Sequence, residues 1–265
     1  MMTIDRLVSP ISWKIEEHND LLSAGLTHNL FLDFLSRAYR KKAFNQWTEY
    51  PIRFAEESGC NFTPDTPGRT LKEIFVDKVY SIDGFTPEKG DVVLDVGANY
   101  GDSAIWWAKT FGAKVIAFEP LKNVYSILCK NIEMNHIENI MAYNIALGKG
   151  NKLEGYSNGD MFIAGKKGQQ KLIDSMPLDN FPVETVNILK IDVEGFEADV
   201  LEGGIKTLKK HRPKVIMEVH SYLLKQKCHS ILTELGYRLS LSGRIVKSGA
   251  PGMDLVQNLF YSPTS

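Results

Sequence analysis

The chain has 265 residues and a mass of 29.8 kDa, which is enough to bury the core of one α/β domain with an added section. Its hydrophobic fraction of 43% and its 21 glycines and 11 prolines are ordinary values, which excludes disordered and fibrous classes. The 31 basic and 32 acidic residues give a net charge of −1, which provides no general field for attracting nucleic acid or an anionic membrane. Any chemistry must therefore arise at a local site.

The cysteines indicate a reducing compartment. Cys60, Cys129 and Cys228 are far apart and have no Cys-x-x-Cys spacing, so we expect neither disulfides nor structural zinc. The sequence contains no apolar core of signal-peptide length near its start, and no apolar run approaches the roughly 20 residues that span a bilayer. We therefore expect a cytoplasmic protein without a membrane span.

The first 88 residues predict a helical N-terminal section. Apolar residues three and four apart indicate an amphipathic helix within residues 27–47. Residues 61–69 contain two prolines and a glycine, which predicts a linker. A second helix should follow, since Thr70 and Glu73 have the spacing of a capping box.

From residue 91 onward, short β-rich apolar runs alternate with helical patterns, which is typical of a parallel sheet covered on both faces. The five strands are expected at residues 92–96, 114–118, 140–144, 186–191 and 215–219. The helices are expected at 103–110, 123–135, 196–210 with a break at Gly203, and 222–235. Residues 151–182 differ in composition and predict a loop-rich hairpin insertion.

A glycine-containing turn follows the first strand. Gly97 and Gly101 permit a tight turn, and the next helix would offer its free N–H groups to a ligand, although an ordinary strand-to-helix turn explains the pattern equally well. Glu119 lies 22 residues after Gly97 at the end of the second strand, where a carboxylate can accept hydrogen bonds from ribose hydroxyls. Asn99 occupies the place of the second glycine of a dinucleotide-binding loop, which puts NAD(P) second to another adenosine-type ligand.

The chain resembles the FkbM family of S-adenosylmethionine-dependent methyltransferases in six ordered blocks. They are residues 93–101, 115–120, 144–148, 188–195, 200–203 and 215–220. The resemblance implies a class I methyltransferase fold, which is Rossmann-like, α/β and doubly wound, with a mostly parallel seven-stranded sheet over residues 89–265. Residues 236–241 and 258–261 would add an edge hairpin with the last strand antiparallel. Residues 1–88 would cover the cofactor or shape the acceptor pocket.

The resemblance also implies a set of contacts with S-adenosylmethionine. Glu119 would hold the ribose, and Asn144 and Ala146 would lie near adenine. The methionine part and the sulfonium would be surrounded by residues of the first turn and by the residue after the fourth strand, namely Asp95, Gly97, Asn99, Gly101 and Asp192. A carboxylate near the sulfonium is physically reasonable because it stabilises the cationic centre. Capping of the turn is the alternative role for Asp95.

Four ionisable groups mark a candidate reaction centre. Asp192 and Glu194 follow the fourth strand, and Glu218 and His220 end the fifth, each pair with the i, i+2 spacing that gives a common side in extended backbone. Because carboxyl ends of parallel strands meet at one sheet edge, we expect all four groups to converge. The alternative for Asp192 and Glu194 is to cap a helix that begins near Gly195. Glu218 interrupts an apolar run, so its charge requires a partner.

These groups are suited to methyl transfer onto an alcohol, whose proton must leave as the new bond forms. His220 or Asp192 is the expected base. Alternatively, Asp192, Glu218 and His220 would hold Mg²⁺ or Mn²⁺ as a Lewis acid. Amino-directed methyltransferases commonly carry an Asn/Asp-Pro-Pro-aromatic signature after the fourth strand. Here residues 192–195 replace it, so the resemblance favours O-methylation.

The predicted function is S-adenosylmethionine-dependent O-methylation of a small-molecule or saccharide hydroxyl, with no nucleic-acid partner. An NAD(P)-dependent oxidoreductase on a similar fold and a non-catalytic cofactor-binding protein are the alternatives.

Overall fold

A computed structural model describes residues 51–158, 161–165, 170–245 and 254–264. The helix expected within residues 27–47 lies outside these ranges. A short helix, α1 Gly68–Leu71, precedes the main sheet. The main sheet and its helices are, in chain order, β1 Val92–Val96, α2 Asp102–Phe111, β2 Lys114–Phe118, α3 Lys122–Met134, β3 Ile140–Tyr143, β8 Ile188–Ile191, α4 Glu197–Glu202, α5 Ile205–His211, β9 Lys214–Val219, α6 Tyr222–Glu234, β10 Tyr237–Ser242 and β11 Gln257–Pro263. Four further strands lie between β3 and β8, namely β4 Ala146–Leu147, β5 Lys152–Asn158, β6 Met161–Ala164 and β7 Gln170–Met176.

The main sheet has seven strands in the order β10-β11-β9-β8-β1-β2-β3. Strand β11 runs antiparallel to both of its neighbours, whereas all other adjacent strands are parallel. This confirms the doubly wound, mostly parallel sheet and its edge hairpin. The apolar runs that predict strands are buried because helices cover both faces.

The predicted insertion, residues 151–182, supplies three strands of a second, four-stranded sheet. The strands of this sheet lie in the order β4-β7-β5-β6. Strand β5 pairs antiparallel with both β6 and β7, so the insertion is built from hairpins as expected.

Local sequence signals explain several helix boundaries. The Ser221 hydroxyl caps α6 by accepting a hydrogen bond from the Leu224 N–H at 3.1 Å. The break between α4 and α5 also occurs where it is predicted. A Cβ on Gly203 would lie 1.8 Å from the carbonyl oxygen of Gly148, so only glycine permits this approach of the second sheet.

The predicted capping box is wrong. The short helix α1, Gly68–Leu71, begins before Thr70, and its N-cap residue Pro67 makes no side-chain cap hydrogen bond. The Thr70 hydroxyl instead donates to the Pro67 carbonyl, and the chain continues as a π-helix from Lys72 to Val76. Pro67 has the fixed φ that suits the start of a helix, so α1 begins directly after it, earlier than the capping box predicts. Glu73 therefore lies inside the helical segment and cannot cap its start.

The described part of the N-terminal section shares a hydrophobic core with the sheet. Tyr80 packs on Trp107 of α2 with ring centroids 5.7 Å apart, and Phe85 contacts Phe260 of β11 with centroids 5.2 Å apart. The boundary at residues 88 and 89 remains a prediction, but the described residues on its two sides bury apolar surface together.

Residues 61–67 of the predicted linker 61–69 are irregular, as expected, but they are tied to the sheet domain and do not form a free linker. The Asn131 side chain accepts from the Thr63 N–H at 2.9 Å and donates to Thr66 Oγ1 at 2.9 Å and to the Tyr100 carbonyl at 2.8 Å. Asn135 makes a similar pair of bonds with the backbone of Asn61. Asn131 and Asn135, at the C-terminal end of α3, thus provide hydrogen-bond partners for backbone groups of this irregular segment.

In the described ranges, no helix combines the length and apolar character needed to cross a bilayer.

We expect Asn131→Ala to lower the free energy of unfolding by about 2 kcal/mol or more, because buried polar groups lose their partners. Asn151→Ala is the control, since Asn151 is exposed, and it should change stability by less than about 0.5 kcal/mol. Urea denaturation followed by circular dichroism measures both. Equal stability of the two variants would contradict an anchoring role for Asn131.

Candidate functional site

A cleft lies at the carboxyl ends of β1, β2 and β8, with the insertion forming one wall. Its empty volume is about 640 Å³ when the solvent-open part is included. Five predicted cofactor residues line it, namely Gly97, Asn99, Glu119, Ala146 and Asp192.

The glycine turn brings the backbone of β1 against that of β8. Gly97 has φ of 80°, and a Cβ there would lie 1.8 Å from the carbonyl oxygen of Asp192. Gly101, with φ of 85°, is the N-cap of α2. The turn therefore requires Gly97 for its positive φ and for direct contact with the segment that follows β8.

Glu119 is held at the cleft by two backbone N–H groups. Its Oε1 accepts from Leu121 at 2.8 Å and its Oε2 accepts from Asn99 at 3.1 Å. Burial raises the pKa of Glu119 to about 7. A carboxylate has about four lone-pair positions, so two remain for ribose hydroxyls. The buried Oδ1 of Asn99 has no hydrogen-bond partner among the described residues, as expected of a group that meets a donor on a ligand.

The other three predicted cofactor residues, Asp95, Gly101 and Asn144, are not among the described residues that line the cleft. Asn144 donates from Nδ2 to the carbonyls of Glu119 and Pro120 at 2.8 and 3.0 Å, so it holds the turn after β2. Gly101 is the N-cap residue of α2. Asp95 is fully buried and accepts from the Ser103 hydroxyl at 2.6 Å. Direct contact of these residues with a cofactor remains a prediction.

Lys190 is a residue of this site that the sequence analysis missed. Its Nζ lies 2.9 Å from Asp95 Oδ1 and donates to the Gly97 carbonyl at 2.7 Å. Burial lowers the pKa of Lys190, but the combined charges of Asp95, Asp192 and Asp102 outweigh that effect and hold the pKa above its ordinary value. The sequence did contain a signal for Lys190. A lysine inside an apolar strand requires a partner for its charge, as Glu218 does.

The four predicted catalytic side chains meet at one point. His220 Nε2 lies 3.3 Å from Glu218 Oε1, 3.4 Å from Glu194 Oε2 and 3.9 Å from Asp192 Oδ1. His220 is only 2% exposed, whereas the three acids reach solvent in part. Asp192 and Glu194 also line the cleft, so the cluster and the cleft share one segment.

The expected reason for this convergence is wrong in part. Strand β8 ends at Ile191, and Glu194 has φ of 53°, so Asp192 and Glu194 lie in a turn instead of in extended backbone. The insertion fixes this turn, because the Ala164 N–H donates to the Glu194 carbonyl at 2.9 Å. Neither acid caps the next helix, since α4 begins at Glu197 without a side-chain cap.

Glu197 is a second residue that the sequence analysis missed. It is fully buried, and its Oε1 lies 2.9 Å from His220 Nδ1 and accepts from the Gly195 N–H at 3.0 Å. An ionised carboxylate only accepts hydrogen bonds, so Nδ1 is the donor of the pair and Nε2 is directed at the other acids. An acid near the start of a helix is a common surface feature, and the sequence therefore offered no distinguishing signal.

Carboxyl groups dominate the electrostatics of the cluster. Burial lowers the pKa of His220, but neighbouring Glu197 and Glu218 outweigh it and hold the pKa well above its usual value. Burial raises the pKa of Glu194 to about 7, and burial with the charge of Asp192 raises that of Glu218.

The N-terminal section contributes another acid near the cluster. Burial, together with the charges of Glu218 and Asp192, raises the pKa of Glu73 to about 8, although part of this side chain also reaches solvent. The described helical section therefore lies within electrostatic range of the candidate reaction centre.

Two curated proteins are similar to parts of this chain in sequence. Methyltransferase 1 of Beauveria bassiana (strain ARSEF 2860) is 28% identical over 163 residues, which cover 50% of this chain and 65% of the relative. The AMB antimetabolite synthetase AmbE of Pseudomonas aeruginosa is 28% identical over 197 residues, which cover 56% of this chain and 9% of the synthetase. The chain thus spans less than two thirds of either relative.

Two solved structures were also compared with this chain. A methyltransferase FkbM from Methylobacillus flagellatus KT has a TM-score of 0.48 and 16% identity, with coverage of 88% of this chain and 71% of that one. Streptococcus pneumoniae Sp1610, described as a putative tRNA (m1A22) methyltransferase, has a TM-score of 0.49 and 17% identity, with coverage of 72% and 69%.

The family model of the methyltransferase FkbM domain matches residues 95–239, more than half of the chain. The match extends from the buried Asp95 of β1, through the turn and the acidic cluster, to the first residues of β10. The protein therefore belongs to the FkbM methyltransferase family.

Proposed function

We propose that this protein transfers the methyl group of S-adenosylmethionine to a hydroxyl of a small-molecule or saccharide acceptor. One observation is the main support for the proposal: the segment from Asp192 to Glu194 belongs both to the cleft and to the cluster around His220. Asp192 and Glu194 line the cleft and also contact the ring of His220, so a cofactor in the cleft would present its methyl group beside the polar cluster.

The cleft has suitable groups for each part of the cofactor. The two remaining acceptor positions of Glu119 suit the ribose hydroxyls, and Oδ1 of Asn99 suits the ammonium group of the methionine part. Phe162 of the insertion stacks on Phe196 with centroids 5.3 Å apart, which adds an apolar wall. Asp192 supplies a negative charge at the cleft, and this favours a cationic sulfonium.

The cluster fits a hydroxyl acceptor better than an amine. A neutral amine already has an available lone pair, whereas a hydroxyl is a weak nucleophile until its proton leaves. In the proposed step the acceptor oxygen bonds to the methyl carbon while the sulfur–carbon bond breaks. The proton passes to a carboxylate of the cluster, and S-adenosylhomocysteine and a methyl ether result.

The same charges favour a neutral or cationic acceptor over a polyanion. Four acids lie around His220, namely Asp192, Glu194, Glu197 and Glu218, and they would repel phosphate groups. A nucleic-acid acceptor therefore fits this cluster less well than a neutral hydroxyl compound.

We expect Glu119→Ala to weaken S-adenosylmethionine binding at least about 100-fold, because two hydrogen bonds to a charged acceptor are lost. Isothermal titration calorimetry measures the affinity, and circular dichroism checks that the variant folds. Glu138→Gln removes an exposed carboxylate on the loop after α3 and should bind like the native protein. Unchanged affinity in folded Glu119→Ala would contradict the ribose assignment.

The affinity should also depend on pH. The pKa of Glu119 is raised to about 7, and the ionised form is the better acceptor for ribose hydroxyls, so binding should strengthen as pH rises through 7. Between pH 8 and pH 6 the dissociation constant should increase roughly tenfold. The Glu119→Ala variant should not show this change in the dissociation constant between pH 8 and pH 6, because it has no carboxyl group at this position. The same slope in both proteins would contradict the prediction.

Incubation with methyl-labelled S-adenosylmethionine and an extract of the source organism tests the reaction and the acceptor together. We expect the label in a methyl ether, and at least about 100-fold less of it with His220→Ala, since acid–base groups typically contribute that much. Label in a methylamine or in ribonuclease-sensitive material would contradict the acceptor class. No label together with tight NAD(H) binding would favour an oxidoreductase, and cofactor binding without any turnover would favour a non-catalytic protein.

A further inference from the structure

We propose that Asp192, Glu218 and His220 bind a divalent cation, and that Mn²⁺ is the ion best matched to them. The catalytic use of this ion rests on the proposed function, but its binding does not, because binding is measured without cofactor or acceptor.

The spacing of the three side chains fits one ion. One ligand atom from each, including a ring nitrogen of His220, lies within 4.8 Å of the others. Octahedral ions with bonds of about 2.1 Å place neighbouring ligand atoms about 3.0 Å apart and opposite ones about 4.2 Å apart. The distances of 3.3 Å from His220 Nε2 to Glu218 and 3.9 Å to Asp192 fall between these values.

The histidine is already oriented as a ligand. Its Nδ1 donates to the buried Glu197, which the Gly195 N–H also holds, so Nε2 faces the acids. A carboxylate behind the distal ring nitrogen is the usual support of a metal-binding histidine. The distances from Nε2 to the three acids, 3.3 to 3.9 Å, exceed those of strong charge-assisted hydrogen bonds. The buried ring nitrogen is thus directed at three acids, each of which it reaches only at long distance.

The charge balance points to the same conclusion. Asp192, Glu194, Glu197 and Glu218 surround His220, and the histidine is their only ion-pair partner within the described part of the chain. Buried Lys190 is already engaged by Asp95 and the Gly97 carbonyl. Several carboxylates around one imidazole leave an excess of negative charge in a partly desolvated site, which is costly without a counter-ion.

The ligand types and their exposure favour Mn²⁺ in an open site. Carboxylates suit Mg²⁺, Ca²⁺ and Mn²⁺, whereas imidazole suits transition metals, and Mn²⁺ accepts both. Asp192 and Glu218 are 25% and 19% exposed at their side chains, so an ion between them would keep positions for water or an acceptor hydroxyl. Such open positions are typical of catalytic sites and are absent from structural ones.

The experiment is titration of the full chain with MnCl₂ after chelator treatment, followed by calorimetry and by electron paramagnetic resonance of free Mn²⁺. We expect one Mn²⁺ per chain. Asp192→Asn and Glu218→Gln preserve side-chain shape and should each weaken binding at least about tenfold. Glu197→Gln should weaken it by about 10- to 100-fold through the orientation of His220.

Two variants serve as controls. Asp174→Asn removes a carboxylate that is 86% exposed on β7, and it should bind Mn²⁺ like the native chain. Glu119→Ala should retain Mn²⁺ binding while it loses S-adenosylmethionine binding. Absence of stoichiometric binding, or equal binding by native protein, Asp192→Asn and Glu218→Gln, would overturn the metal site.

The two proposals fail separately. A chain that transfers methyl groups at full rate in chelator and binds no Mn²⁺ would refute the cation site and leave the proposed function intact. A chain that binds one Mn²⁺ through these ligands and transfers no methyl group would support the cation site and refute the proposed function.

Discussion

The buried ion pair between Lys190 and Asp95 is the interaction on which the site depends. The two residues are direct partners in the register of β8 and β1, and Nζ of Lys190 also binds the carbonyl of Gly97. Ser103 of α2 donates to the same aspartate. Removal of one partner from a buried pair typically costs about 3–5 kcal/mol, so the lysine and the aspartate are strongly coupled. The pair thereby fixes the glycine turn against the end of β8.

This arrangement explains why the cleft and the acidic cluster lie side by side. The glycine turn contacts the backbone of Asp192, and the turn after β8 is held from its other side by Ala164 of the insertion. Buried Glu197 then sets the ring of His220. The site is therefore rigid where it contacts the main sheet, and its acids are partly open to solvent where an acceptor would enter.

The near-zero net charge hides a strongly uneven distribution. Acidic groups gather around His220 at the carboxyl edge of the sheet, and Glu73 of the N-terminal section lies within electrostatic range of Glu218 and Asp192. Such an edge attracts a cationic sulfonium and a divalent cation by the same electrostatic force. It also accounts for the raised pKa values of Glu194 and Glu218, since like charges and burial both favour the protonated acid.

The sequence by itself determined the alternation of strands and helices, the turn at Gly97 and the position of Glu119, because hydrophobic period and chain order act locally. It placed the four ionisable groups at one sheet edge, but the turn that brings Asp192 and Glu194 to His220 depends on the contact with the insertion. Only the tertiary structure decided which buried groups pair. Lys190 with Asp95, and the anchoring of residues 61–69 by Asn131, join segments far apart in sequence. Local propensity carries no information about such partners, since burial selects them only when the strands and helices have packed.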